Sequence, residues 1–383
     1  MMTVLFLVEK FRYRKMAEQL AALVNRMENI SVTVQVLHDG ETYRELFAKN
    51  ICYKAESAVY HGITVFPAGY LYNRIVKETY DAAIAWTEGK CVRILSGCPH
   101  TGTKLYCMIH TDLSENGKFT AGFHSWCDAL NAYRNLHGCF VSDQSLIKPF
   151  ACLSGMESDN IRVIPPIREP SGHRMKTYWK KFGTPGTLQV CSAGENITPS
   201  ETRRLYRIHT QLLAEGYWHR MVVIGGKRRM RFSRDTFLHL PYDKNTARFV
   251  SGCDIFLCIN GEESVLEAMK DALRSGIPAV AVQGILTESI LAGGTKGILT
   301  EATPESIKNG LRSMLTKPKL RYVCGKNARI SDKGCETDIS VTEIEEALTK
   351  NKNISTNRKS DKNIEKKNRM CYNPFNESGT VIP

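Results

Sequence analysis

Residues 254–282 run from the apolar stretch Ile255-Phe-Leu-Cys258 through a polar turn, Asn260-Gly261, into a segment of helical period, and out again as the apolar stretch Ala279–Val282. Two strand-length apolar runs joined by a helix imply a crossover, and a crossover joins parallel strands rather than the arms of a hairpin. Val265, Leu266, Met269, Ala272 and Leu273 recur at helical spacing before the stop at Gly276 and Pro278. Glu263 stands just before this helix and Asp271 within it. Both carboxylates can therefore face a cleft above the sheet while the apolar residues face into it. The same two acids also fit an ordinary acidic helix start and a solvated aspartate.

The rest of the chain repeats this alternation. Residues 3–8 read as a buried strand, followed by an amphipathic helix over 14–27 with Met16, Leu20, Leu23, Val24 and Met27 on one face. Further strands are expected at 31–37, 81–86, 105–109, 138–142 and 161–164, with helices over 123–133 and 142–152. After Pro165-Pro166 and the polar run 168–172 the pattern restarts. Strands are expected at 188–191, 221–224, 237–240, 254–258, 279–282 and 297–299, with a helix over 201–214. Thr303 before Pro304 and Glu305 is a helix start, and Ser340 with Glu343 reads as a capping box for a last helix. The expected fold is α/β, two Rossmann-like doubly wound domains over 1–168 and 169–350 that face each other across a cleft. Residues 351–383, rich in Asn and Lys and poor in large apolar side chains, are expected to be a disordered basic tail.

A chain of 383 residues that is 42% hydrophobic can fill two cores. Its net charge of +13 suits an anionic partner, a nucleotide diphosphate or an anionic membrane surface. The basic residues are dispersed and carry no interleaved aromatic motif, which argues against nucleic acid. Thirteen cysteines, odd in number and without a Cys-x-x-Cys pair, argue against a zinc knuckle or a disulfide framework and for a reducing compartment. No apolar run approaches the length of a membrane span, so the expected location is cytoplasmic, with peripheral contact at the inner face of the plasma membrane as the sharper option.

Glu263, Asp271, Ala272, Gly276 and Pro278 together resemble the donor-binding motif of retaining GT-B glycosyltransferases of the glycosyltransferase family 4 type. That pattern is Glu, seven residues, Glu, then Ala-x-x-x-Gly-x-Pro, and here the second acid is shortened to Asp271. The resemblance follows the donor domain over 187–316 and, more weakly, the first half. It implies an acceptor-side first domain and a second domain that binds a nucleotide sugar. Glu263 would orient the sugar, Asp271 would hold the ribose, and His110, in His110-Thr-Asp112, would contact the reacting sugar. Gly194, Gly225, Gly226, Lys227 and Ser264 would surround the donor, with Glu88, Asp112 and Arg12 on the acceptor side. The implied mechanism uses no metal and no cofactor beyond the nucleotide-diphosphate sugar as co-substrate.

Two further features depart from the family. Its first strand is followed by a glycine-rich loop, where this chain has Lys10-Phe-Arg-Tyr-Arg-Lys15. Cations at a helix start oppose its dipole, so this run is either solvated or brings Arg12, Arg14 or Lys15 to a phosphate. The family's diphosphate-binding Arg and Lys fall here on Glu195 and Ser200. Losing two charge-assisted hydrogen bonds of roughly 1.5–3 kcal/mol each costs about 3–6 kcal/mol unless other cations, such as residues 227–229 or Arg12, stand in. The function implied is transfer of a hexose, with retention, from a nucleotide-diphosphate sugar to a lipid-linked or saccharide acceptor in cell-surface polysaccharide biosynthesis. The alternative is a catalytically degenerate partner subunit that kept the fold.

Overall fold

Met-Thr-Val-Leu-Phe-Leu-Val forms β1 (Met2–Val8), and Val4 through Val8 are fully buried. A strand with no polar alternation belongs in the middle of a parallel sheet, where both faces are covered. The computed structural model describes residues 1–38, 40–55, 64–114, 117–164, 187–226, 229–242, 246–330 and 337–349. The expected domain boundary at 168–169, Lys227 and the expected tail over 351–383 lie outside the described residues.

After β1 come α1 (Arg14–Val24), β2 (Ile30–Val36), β3 (Cys52–Ala55), α2 (Ala68–Ile75), β4 (Ala82–Ala85) and α3 (Lys90–Ser96). The first half continues with β5 (Lys104–Ile109), α4 (Trp126–Arg134), β6 (Gly138–Val141), α5 (Ile147–Ser154) and β7 (Ile161–Val163). The second half holds β8 (Leu188–Gly194), α6 (Pro199–Ala214), β9 (His219–Gly225), β10 (Phe237–Leu240), α7 (Thr246–Val250), β11 (Ile255–Cys258), α8 (Glu263–Arg274) and β12 (Ala279–Val282). It ends with α9 (Ile285–Ile290), β13 (Gly297–Thr300), α10 (Pro304–Thr316), α11 (Pro318–Ile330) and α12 (Thr337–Thr349).

Every strand pair is parallel. The first sheet has the order β3-β2-β1-β4-β5-β6-β7 and the second β10-β9-β8-β11-β12-β13. In both sheets the strand order reverses beside the first strand, between β1 and β4 and between β8 and β11. Crossovers leave these points on opposite faces, so a crevice opens at the carboxyl ends of the strands there. The two-domain GT-B fold expected from the sequence is present.

Hydrophobic clusters fill both faces of the first sheet, one around Leu5, Leu95 and Tyr133 and the other around Phe6, Leu20 and Phe140. A third, around Val190, Leu257 and Met269, forms the core of the second half. The last helix does not stay with the second half, where the sequence reading put it. Ile344, Ala347 and Leu348 of α12 join the Phe6–Phe140 cluster, and the Tyr106 hydroxyl donates to the Ala347 carbonyl at 2.9 Å. The capping box expected at Ser340 is also corrected, because α12 begins three residues earlier at Thr337 and Ser340 lies inside it. Glu343 instead turns toward the first sheet, where Arg162 Nη1 approaches it to 3.4 Å.

Candidate active site

Both switch points deliver side chains to one cleft. Beyond β4, Glu88 accepts hydrogen bonds from the backbone N–H of His110 (2.6 Å) and of Thr111 (3.2 Å), which ties that turn to the end of β5. His110 Nε2 lies 2.9 Å from the Trp86 carbonyl oxygen. A carbonyl only accepts, so Nε2 carries a proton and Nδ1 is left to face the Glu263 carboxylate, 3.4 Å away across the cleft.

Glu263 is the first residue of α8 rather than the residue before it; Glu262 is the N-cap and makes no side-chain cap bond. The helix places Glu263 against the first half, with 14% of its side chain exposed. Burial raises the Glu263 carboxyl above its ordinary value, and His110 and Tyr13 offset only part of that rise. Tyr13 caps α1 in extended backbone, its ring buried in the core and its hydroxyl beside Glu263. Burial first, then the carboxylates of Glu263 and Glu267, hold the Tyr13 hydroxyl well above its usual range.

The cleft on this side has a volume of about 630 Å³. Arg12, Tyr13, Glu88, Thr111 and Lys118 from the first half face Asn196 and the turn from Gly261 to Ser264 of the second. Desolvation lowers the Arg12 guanidinium, and Glu88, Glu263, Glu9 and Glu262 more than reverse it, so its pKa ends above the ordinary value. The Arg12 side chain itself stays exposed at the rim. A second cleft, of about 570 Å³, shares Glu263 and is lined by His110, Trp86, Met108, Gln19 and Glu267 among others.

The remaining sequence candidates fall in three groups. Gly194 ends β8 directly under α8, where a Cβ would come within 2.5 Å of Val265 Cγ2, and Gly225 packs against it, where a Cβ would meet the Gly194 carbonyl oxygen at 2.5 Å. Gly226 follows with its backbone N–H bonded to the Glu195 carbonyl at 3.1 Å. Ser264 lines the first cleft and its hydroxyl, although buried, has no partner. Asp112 is turned inward to its own loop and accepts from Ser114 N at 2.9 Å and Ser114 Oγ at 2.7 Å. Asp271 lines neither cleft; Arg274 Nη1 holds it at 2.6 Å and Lys15 Nζ, from α1, at 3.2 Å.

The sequence matches no protein-family model and no curated protein. Solved structures do match. Anabaena HepE, in complex with UDP and glucose, superposes with a TM-score of 0.69 at 15% identity over 92% of this chain and all 100% of its own. WaaG, described as a glycosyltransferase involved in lipopolysaccharide biosynthesis, gives 0.66 at 13% identity over 91% of this chain and 100% of its own. TarM gives 0.65 at 10% identity, covering 91% of this chain and 99% of its own. All three share the GT-B fold. No helix among the described residues is long and apolar enough to cross a membrane.

In this GT-B cleft the cation positions differ from those the resemblance implies. Glu195, on which the resemblance puts the Arg, directly follows β8, and Ser200, on which it puts the Lys, sits exposed in the first turn of α6. Arg12 and Lys118, both from the first half, line the cleft instead. The sequence reading missed Lys118, Tyr13 and above all Glu267. Glu267 lies one turn below Glu263, buried, with Lys270 at 2.7 Å and Lys15 at 3.1 Å. Burial would raise its carboxyl, but Lys270 and Lys15 hold it far below the usual range. The signal was available: a glutamate stands within the apolar stripe of Val265, Leu266, Ala268 and Met269, and buried acids require paired cations.

Proposed function

We propose that the protein is a retaining glycosyltransferase that moves a hexose from a nucleotide-diphosphate sugar to a lipid-linked or saccharide acceptor in cell-surface polysaccharide biosynthesis. The observation that carries this reading is the approach of His110 Nδ1 to Glu263 across the cleft, at 3.4 Å, where the switch points of the two sheets meet. The neighbour in complex with UDP and glucose supports it, since that protein shares the fold over its whole length.

In this reading the hexose lies in the cleft beside the contact of Glu263 with His110, and the diphosphate lies toward Arg12 and the first turn of α8. That first turn has N–H groups with no intrahelical acceptor, and with the helix dipole they favour an anion. As the bond from the anomeric carbon to the diphosphate breaks, negative charge grows on the departing oxygen. Arg12 and these amides stabilise it without reorganising. The departing diphosphate takes the proton of the incoming hydroxyl on the same face, which leaves the configuration retained. Glu263 orients the sugar hydroxyls, and His110, fixed by the Trp86 carbonyl, keeps its other nitrogen on the sugar. Gly194, Gly225 and Ser264 shape the donor wall, Asp271 holds the ribose once Lys15 yields it, and Glu88 and Asp112 set the acceptor side. The chain works in the cytoplasm and meets a lipid-linked acceptor at an anionic membrane surface.

The test is to screen UDP- and GDP-hexoses for release of the nucleotide diphosphate and to read the anomeric configuration of the product by NMR. Retained configuration, with turnover lost in His110→Ala, is the expected result; inverted product contradicts it. A degenerate partner subunit is the second reading. It is favoured by Glu195 at the expected cation position and by the engagement of Asp271 with Lys15 and Arg274.

A further inference from the structure

Glu201, in the first turn of α6, uses both of its carboxylate oxygens. Oε2 accepts from the Thr198 N–H and from the Thr198 hydroxyl, each at 2.8 Å. That hydroxyl accepts in turn from the Glu201 N–H at 3.2 Å, which completes a capping box. The cap needs only one oxygen of the acid. The other, Oε1, accepts from Asn260 Nδ2 at 2.5 Å, in the turn between β11 and α8.

Asn260 passes this bond on to α8. Its Oδ1 accepts from the backbone N–H of Glu262 at 3.1 Å. A carboxylate only accepts and a backbone N–H only donates, so one orientation of the Asn260 amide satisfies both partners. Glu262 is the N-cap of α8, and its carbonyl accepts from the N–H groups of Val265 and Leu266 at 2.9 Å each. Its side chain makes no cap bond, so Asn260 holds the cap through the Glu262 N–H. Cys258 Sγ, at the end of β11, donates to the Asn260 carbonyl at 3.1 Å and anchors the turn from the other side. Asn196, before α6, and residues 261–264 line the same cleft, so the link joins two of the segments that shape it.

We infer that Glu201 is a positioning residue for Glu263: it lines neither cleft, and through Asn260 it fixes the start of α8 to the start of α6. A functional side chain is held in place by the hydrogen bonds behind it, and here those bonds come from a neighbouring helix rather than from α8 itself. The inference rests on the nucleotide-sugar reading above for its effect on turnover. It adds to that reading a residue outside the motif, next to Ser200, where the resemblance puts a cation.

The test reverses the polarity of the pair in the full chain. In Glu201→Gln the amide oxygen keeps the cap while the amide nitrogen meets Asn260 Nδ2, donor against donor; turning Asn260 over only moves the clash to the Glu262 N–H. In Asn260→Asp two carboxylates face each other. Combining the two substitutions lets the new amide donate to the new carboxylate, which still accepts from the Glu262 N–H, at unchanged net charge. Hydrogen exchange of the amides of residues 262–266 and the kcat of hexose transfer are the readouts, with thermal melting as the check of folding. Glu201→Gln is expected to speed that exchange about tenfold and lower kcat about tenfold, the worth of one hydrogen bond, and the double variant to return within about twofold in both. Thr198→Ala weakens the α6 cap but leaves the bond from Asn260, so it is expected to lower the melting temperature and leave kcat unchanged. Unchanged exchange in Glu201→Gln, a folded double variant that does not recover, or an equal loss of kcat in Thr198→Ala overturns the inference. A wild type with neither transfer nor nucleotide binding overturns the nucleotide-sugar reading, and the exchange comparison still decides whether Glu201 fixes the start of α8.

Discussion

Lys15 Nζ on α1 lies 3.1 Å from Glu267 Oε2 on α8, so the two halves are joined by an ion pair whose acid is only 6% exposed. Lys270 completes the pairing of Glu267, and Asp271 with Arg274 extends the network along the same helix face. Breaking a buried pair from one side leaves an uncompensated charge. Glu267→Ala, which strands Lys270 and leaves Lys15 with Asp271 alone, is expected to destabilise the fold by about 3–5 kcal/mol. Lys15→Met leaves Glu267 paired with Lys270 and Asp271 with Arg274, so neither acid is stranded and the cost is expected to be only about 1 kcal/mol. Urea unfolding at constant m-value measures both; equal costs would contradict the asymmetry.

Glu263 and Glu267 respond to pH in opposite senses. The Glu267 carboxyl is depressed, so its contribution is complete above the unfolded value of about 4.3 and is lost as pH falls through the folded one. The Glu263 carboxyl is raised, so at neutral pH it opposes folding, and this penalty disappears as pH falls through its folded value. Glu263→Gln is therefore expected to raise the melting temperature at pH 7 and to lose that advantage under mildly acidic conditions. Transfer activity should fall about 100-fold in the same variant. A Gln variant less stable than the wild type at pH 7 would contradict the burial account.

Arg12 separates phosphate binding from base binding. Arg12→Ala is expected to weaken UDP by about 10- to 100-fold, the worth of one charge-assisted hydrogen bond of roughly 1.5–3 kcal/mol, while leaving uridine binding unchanged. Raising the salt concentration should erode UDP affinity more in the wild type than in the variant. Equal losses for UDP and uridine would place Arg12 away from the diphosphate.

Gly194→Ala tests how closely α8 must approach β8. The added methyl would sit 2.5 Å from Val265 Cγ2 and 3.3 Å from Val265 Cα, where the helix backbone itself must shift. A cost of about 1–3 kcal/mol is expected, together with weaker nucleotide binding, because Glu263 and Ser264 move with the helix. Full stability and full binding in Gly194→Ala would show that the start of α8 is free to slide.

The strands were legible because parallel strands in this fold are buried on both faces and read as unbroken apolar runs, as in Val4 to Val8 and Ile255 to Cys258. β3 was not, since Cys52-Tyr-Lys-Ala is a short edge strand with no apolar run to mark it. α3 and α9 were also missed, being only 7 and 6 residues long, shorter than two helical turns. At the site, Glu263 was marked by the family motif at a helix start and His110 by the resemblance at a strand end, and the structure brings them together. Their distance could not be read, because it depends on how the two halves meet. The same holds for Asp271: helical spacing puts it two turns from Glu263 but does not say that Lys15 waits opposite. Tyr13 was hidden in a basic run whose charges drew attention away from a tyrosine buried beside Glu263.

The central claim is that the cleft between the sheets binds a nucleotide diphosphate despite Glu195 and Ser200. Calorimetric titration of the purified protein with UDP and GDP tests it most directly. The account predicts saturable binding of at least one of them, weakened by Arg12→Ala. Absence of binding by either nucleotide at millimolar concentration would contradict it and leave the degenerate partner subunit as the reading of this fold.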